Sequence, residues 1–133
     1  MRSRDTLVRL HRFRVDEKRR QVSDIEMMMA DFRRKQDDLD QQIAYEEQKS
    51  GCSDPAHFNY SMTAKSIRNR RENLLATVAD LQAQLYQANE ALAEEEAELR
   101  KVELLAEKDA NHRGSDLSAI GKAAAANAAR TSH

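Results

Sequence analysis

Four histidines, at positions 11, 57, 112 and 133, and a single cysteine, Cys52, are the side chains best suited to hold a metal or act as nucleophiles. No two histidines stand four residues apart, the spacing that puts two imidazoles on one helical face, and one cysteine offers no thiolate pair for zinc. Gly51 is isolated, so no glycine-rich phosphate loop exists, and serine, histidine and aspartate lack the strand-turn-helix setting that presents a nucleophile. Glu94, Glu95, Glu96 and Glu98 point around a helix axis rather than at one cation, which makes them a solvated face. The sequence therefore predicts no enzyme, no cofactor and no metal site.

Arginine is the remaining chemistry. Arg2, Arg4, Arg9, Arg12, Arg14, Arg19 and Arg20 crowd the start of the chain. Phosphate contacts would use such a cluster, but only Phe13 is interleaved with it and nearby glutamates compete for the same charges, so no nucleic acid is expected. With 22 basic and 23 acidic residues the net charge is −1, which gives no general attraction to polyanions.

These side chains must be positioned by helices. The chain of 133 residues has one proline, Pro55, and three glycines, Gly51, Gly114 and Gly121, leaving 1–50 and 56–113 free of both. Aromatics are 5% and charged residues 34% of the sequence, too little bulk for a wide core. No apolar run reaches the roughly 18 to 20 residues of a membrane span. A lone cysteine fits a reducing compartment, and a soluble cytoplasmic protein is expected.

Read in heptads, the first arm places Val8, Val15, Val22, Met29, Gln36 and Ile43 at a, with His11, Lys18, Ile25, Phe32, Leu39 and Glu46 at d. The second places Ile67, Leu74, Leu81, Ala88, Glu95 and Val102 at d, with Arg71, Val78, Leu85, Leu92, Leu99 and Ala106 at a. Of Met27, Met28 and Met29 only the last is a seam residue, and His11 reads as a tolerated polar seam position. Each arm has one narrow apolar stripe and needs a helical partner to bury it. Gly51 fits a left-handed cap, and Asp54 with Pro55 fits N-cap and N1 of the next helix.

A short connection favours an antiparallel hairpin. The fold class is all-α, two long helices forming an antiparallel coiled-coil hairpin over 1–113, with arms about 4–50 and 55–113 and a flexible tail. At about 1.5 Å per residue the arms would make a thin rod of about 65 to 80 Å. Residues 2–35 carry eleven basic and six acidic side chains, and 86–109 carry three and eight, so folding back lays opposite charges together. Two registers fit the heptads. One sets Ile43 level with Ile67; the other sets Glu46 opposite Arg71 and is preferred for leaving no lone charge there. It leaves 50–65 as an exposed tip containing Phe58, Tyr60 and Met62. Residues 114–133, rich in alanine, are expected to be frayed or disordered.

The opening Asp5, Thr6, Leu7 to Leu10 before a charged arm, Leu39, Ile43 and Tyr45 near its end, and Asn59 with Tyr60 leading into the second arm resemble the bacterial flagellar export protein FliJ family over roughly residues 4 to 113. The virulence secretion stalk proteins share this layout. The resemblance implies a stalk in the flagellar type III export apparatus, cytoplasmic and peripheral at the inner membrane. Its partners would be the export ATPase, the cytoplasmic domain of the membrane export gate, and export chaperones, and the isolated chain would be a monomer. Arg9, Arg12 and Arg14 are the residues expected at the ATPase end, and Tyr45, Phe58 and Tyr60 those towards the gate. Gln42 and Lys49 stand where that family more often has apolar or aromatic residues, which would weaken or shift the gate contact. A structural scaffold paired through a second copy and a nucleic-acid-binding helical arm are the alternatives.

Overall fold

The computed structural model describes the backbone of residues 3–131, and side chains as far as Gly114 and at Leu117, Ile120 and Gly121. Arg2 and His133 lie outside the described residues, as do the side chains of the alanines from Ala123 onward. Two helices make up the fold, α1 (Ser3–Ser50) and α2 (Met62–Thr131), with no strand among the described residues. None of the a or d positions assigned above is exposed, and Val8, Val15, Val22, Met29, Ile43, Ile67, Val78 and Leu81 are buried. The heptad pattern thus marks the faces that leave solvent.

Two compact units contain these helices. In the terminal unit (1–17 with 92–133), Arg4 pairs with Asp109 at 2.7 Å and Arg12 with Glu103 at 3.1 Å. Numbers rise along α1 as they fall along α2, so the helices run antiparallel. In the other unit (18–91), Arg68 meets Glu47 at 3.4 Å and Arg71 meets Asp40 at 3.1 Å, again antiparallel.

These pairs correct the register. Arg71 reaches Asp40, the neighbour of Leu39, not Glu46, which is the arrangement in which Ile43 faces Ile67. The terminal unit independently agrees: His11 Nδ1 lies 3.8 Å from Glu95 Oε2, whereas the looser register would set His11 against Ala106. The long stem of Arg71 carries Nη1 to the half-exposed edge, where it pairs with Asp40, while Nε stays buried without a hydrogen bond.

The chain reversal is built in two parts. Gly51 takes φ +73° and its N–H donates to Glu47 O at 3.0 Å, the expected left-handed cap. A Cβ at Gly51 would meet nothing within 4 Å, so Gly51→Ala carries a purely conformational cost of about 1 kcal/mol. Urea denaturation should show that loss, and an unchanged midpoint would contradict it.

Asp54 and Pro55 do not start α2. Asp54 Oδ1 accepts from Ala56 N–H and Asp54 O from His57 N–H, both at 3.0 Å, making a turn with Pro55 at its second position. A second turn follows, Tyr60 N–H donating to His57 O at 3.0 Å. The cap is Ser61, whose Oγ accepts from Ala64 N–H at 3.2 Å.

At the other end α2 does not stop at Arg113. Its backbone is helical through Thr131, where fraying was expected. Alanine's helix propensity carries the backbone on without a large apolar face to bury.

Candidate functional site

The sequence singles out two surfaces, one in each unit. In the terminal unit Arg9, Arg12 and Arg14 are all exposed, but they are not equivalent. Arg12, at an e position, donates to Glu103, also at e, across the seam. Arg9 borders a shallow polar groove with Asp5, Val8, Arg12, Glu103 and Glu107. Arg14 sits at a g position, on the opposite side from that ion pair. The three guanidiniums therefore do not form one cluster: one is engaged within the hairpin, and the other two face different directions.

His11 and Glu95 occupy the seam of the same unit. Their facing atoms, Nδ1 and Oε2, are buried and lack hydrogen-bond partners, since 3.8 Å is too long for a hydrogen bond even where it counts as an ionic approach. The pair is a polar interruption among the apolar seam residues Val8, Val15, Leu92, Leu99 and Val102.

In the other unit, Tyr45 is 63% exposed on α1 and lines a shallow depression with Gln42, Glu46, Thr63 and Ile67. Phe58, 89% exposed, projects from the loop with its ring stacked on His57 at 4.7 Å between centroids. That imidazole is itself fixed, its Nδ1 accepting from Asn59 N–H at 3.1 Å. Met62, at the start of α2, is exposed as well. Leu39 is half-buried and Ile43 buried, leaving Tyr45 the outward member of that trio.

Tyr60 departs from the expected exposed tip. Only 7% of it is accessible; its Oη accepts from Arg68 Nε at 2.7 Å, and Arg68 also reaches Glu47 on α1. The bond to Tyr60, aided by Glu47, raises the Arg68 pKa above its already high ordinary value. The turn from His57 to Tyr60 swings one aromatic inward while leaving the other outside, so Tyr60 is a structural anchor and Phe58 the accessible ring.

The sequence reading assigns no site role to the leucines of the terminal unit, although Leu7 and Leu10 belong to the stretch that carries the family resemblance. Leu7, Leu10, Leu104 and Leu105 lie outside the a and d seam and are exposed. Their signal was present in the heptad: Leu7 and Leu105 are both g residues, positions that flank a seam and usually carry charge.

Among the described residues no group of three His, Cys, Asp or Glu side chains is placed to hold a metal ion, and no helix is long and apolar enough to cross a membrane. No protein-family model matches the chain, and neither a curated protein nor a solved structure is significantly similar to it. The class defined by the coordinates is accordingly that of a two-helix antiparallel hairpin.

Proposed function

We propose that this chain is a non-enzymatic stalk component of a flagellar type III export apparatus, cytoplasmic and peripheral at the inner membrane, linking the export ATPase ring to the cytoplasmic domain of the export gate and engaging export chaperones. The observation that supports the reading is two long helices reversed at a break, with Tyr45 exposed and Ile43 buried, which is the arrangement that the sequence resemblance to the FliJ family implies. A paired helix resists bending far better than a single flexible chain, so displacement at one partner is transmitted to the other. Tyr45 and Phe58 supply aromatic contacts towards the gate. Arg14 and Arg9 supply exposed charge for acidic loops of the ring. Binding to the assembled ring in preference to free subunits raises ATP turnover by mass action, without any hydrolysis by this chain.

The test uses a purified export ATPase titrated with the full chain. Ring assembly and turnover should rise together. Arg9→Glu with Arg14→Glu should weaken the effect about tenfold at low salt and less at high salt, where screening already suppresses the attraction. Identical assembly and turnover with and without an excess of the chain would remove the reading.

A further inference from the structure

The reversal between α1 and α2 differs in chemistry from the rest of the chain. Residues 55–64 contain no Asp, Glu, Lys or Arg, in a sequence of which such residues make up 34%. The run also turns apolar groups outward: Pro55 and Ala56 are exposed, Phe58 is 89% exposed and Met62 77%. Only Tyr60 and Ala64 of the run are buried, so the packing of the unit leaves the other apolar groups in water.

Its backbone donors are already met within the loop. Asp54 Oδ1 and Asp54 O accept from the N–H groups of Ala56 and His57, His57 Nδ1 from that of Asn59, and His57 O from that of Tyr60. Pro55 has no N–H, so from 55 to 60 the Phe58 N–H alone lacks an internal acceptor. An ordinary surface loop keeps its donors for water, whereas a loop that has bonded them internally can shed water from that face without leaving them unmet. The stack on His57 fixes the Phe58 ring, so little rotamer freedom is lost when the ring is buried.

The charges nearest the run balance one another. Lys49, Lys65 and Arg68 stand against Glu46, Glu47 and Asp54, with Arg68 and Glu47 paired. Attraction to an anionic surface is therefore not the driving force, and apolar burial of the ring is.

We propose that this reversal is a membrane-surface contact, in which Phe58 enters the boundary between headgroups and acyl chains of a phospholipid bilayer without crossing it. A protein pocket for one phenyl ring is the competing occupant. The bilayer is favoured because the whole run is free of charge and nearly free of unmet donors, neither of which a pocket for a single ring requires. The export reading turns Phe58 towards the gate; here the ring is given to lipid and Tyr45 is left to the protein. The test membrane contains no gate, so either inference can fail without the other.

The chain has no tryptophan, so Phe58→Trp supplies a single emitter in the loop. Phosphatidylcholine vesicles should shift its emission to the blue, and brominated acyl chains should quench it. Half of the full chain should be bound at about millimolar lipid, as suits a reversible contact without a lipid anchor. Tyr86→Trp, at a position 68% exposed on α2 of the same unit, should show neither effect. Replacing about one-third of the lipid with an anionic phospholipid, or raising the salt, should change affinity less than about twofold. Phe58→Asp should reduce co-sedimentation with vesicles about tenfold or more at unchanged helicity, and Phe58→Leu should retain most of it. No shift at about ten times that lipid concentration, an equal shift from Tyr86→Trp, or binding confined to anionic vesicles would each overturn the assignment. So would a shift of the Phe58→Trp chain produced by the lipid-free cytoplasmic domain of an export gate and not by vesicles, which would give the ring to a protein pocket.

Discussion

Tyr60→Ala is expected to lower the stability of the 18–91 unit by about 3 to 5 kcal/mol, the range for deleting a buried aromatic ring from a packed site. The loop from Ser53 to Asn59 is exposed throughout, so Tyr60 is where it is fastened down. Its ring lies under the Arg68 guanidinium, 5.8 Å from centroid to Cζ, and the hydroxyl takes the Nε proton while Nη2 turns to Glu47. Alanine would remove a buried ring and free Arg68 together. Tyr60→Phe keeps the ring and loses one hydrogen bond, a cost of about 1 kcal/mol. Urea denaturation of both variants, with hydrogen exchange across 47–68, separates ring from hydroxyl. A loss under about 1 kcal/mol for the alanine variant would show that the loop is held by something else. The arginine stays charged at every pH where the fold is studied, so neither effect should vary between neutral and mildly acidic solution.

Where sequence and structure part company, a local choice was open that only the packed helices close. Asp-Pro is equally good chemistry for starting a helix and for the first half of a tight turn; here the turn wins, because Ser61 caps α2 later. Ser61 gave a weak signal since Ala64, not a glutamate, stands three residues on and no reciprocal bond to the cap forms. The preference for setting Glu46 against Arg71 treated a seam arginine as a charge needing a partner opposite. Instead its Nη1 reaches Asp40 at the edge of the seam, and its Nε is left buried without a hydrogen bond. Phe58 and Tyr60 are indistinguishable by composition, and the two successive turns decide which is buried. Likewise Arg9, Arg12 and Arg14 form one cluster in sequence, but helical angle separates them, and only the register shows that Glu103 engages Arg12. The helical class, the seam and the cap at Gly51 were legible because each rests on spacing within a single helix.

Val15→Asp should be the most damaging single change in the terminal unit, and its comparison with Val15→Lys carries the register. Val15 is 2% exposed and lies one helical turn from His11, which approaches Glu95. In the observed register Val15 faces Glu95, itself half-buried and with its Oε2 making no hydrogen bond. An aspartate would bring a second carboxylate into that layer, adding repulsion to the loss of the valine and the desolvation of a charge, about 4 kcal/mol in all. A lysine loses the same apolar contact but can extend its ammonium to Glu95, satisfying the orphaned oxygen, so it should cost about 2 kcal/mol less than the aspartate. In the looser register Val15 would face Val102, and neither charge would have a partner. Thermal denaturation of the two variants decides between them: a clear advantage for lysine, reduced by Glu95→Gln, follows from the observed pairing, while equal destabilisation would mean that Glu95 does not stand across from Val15.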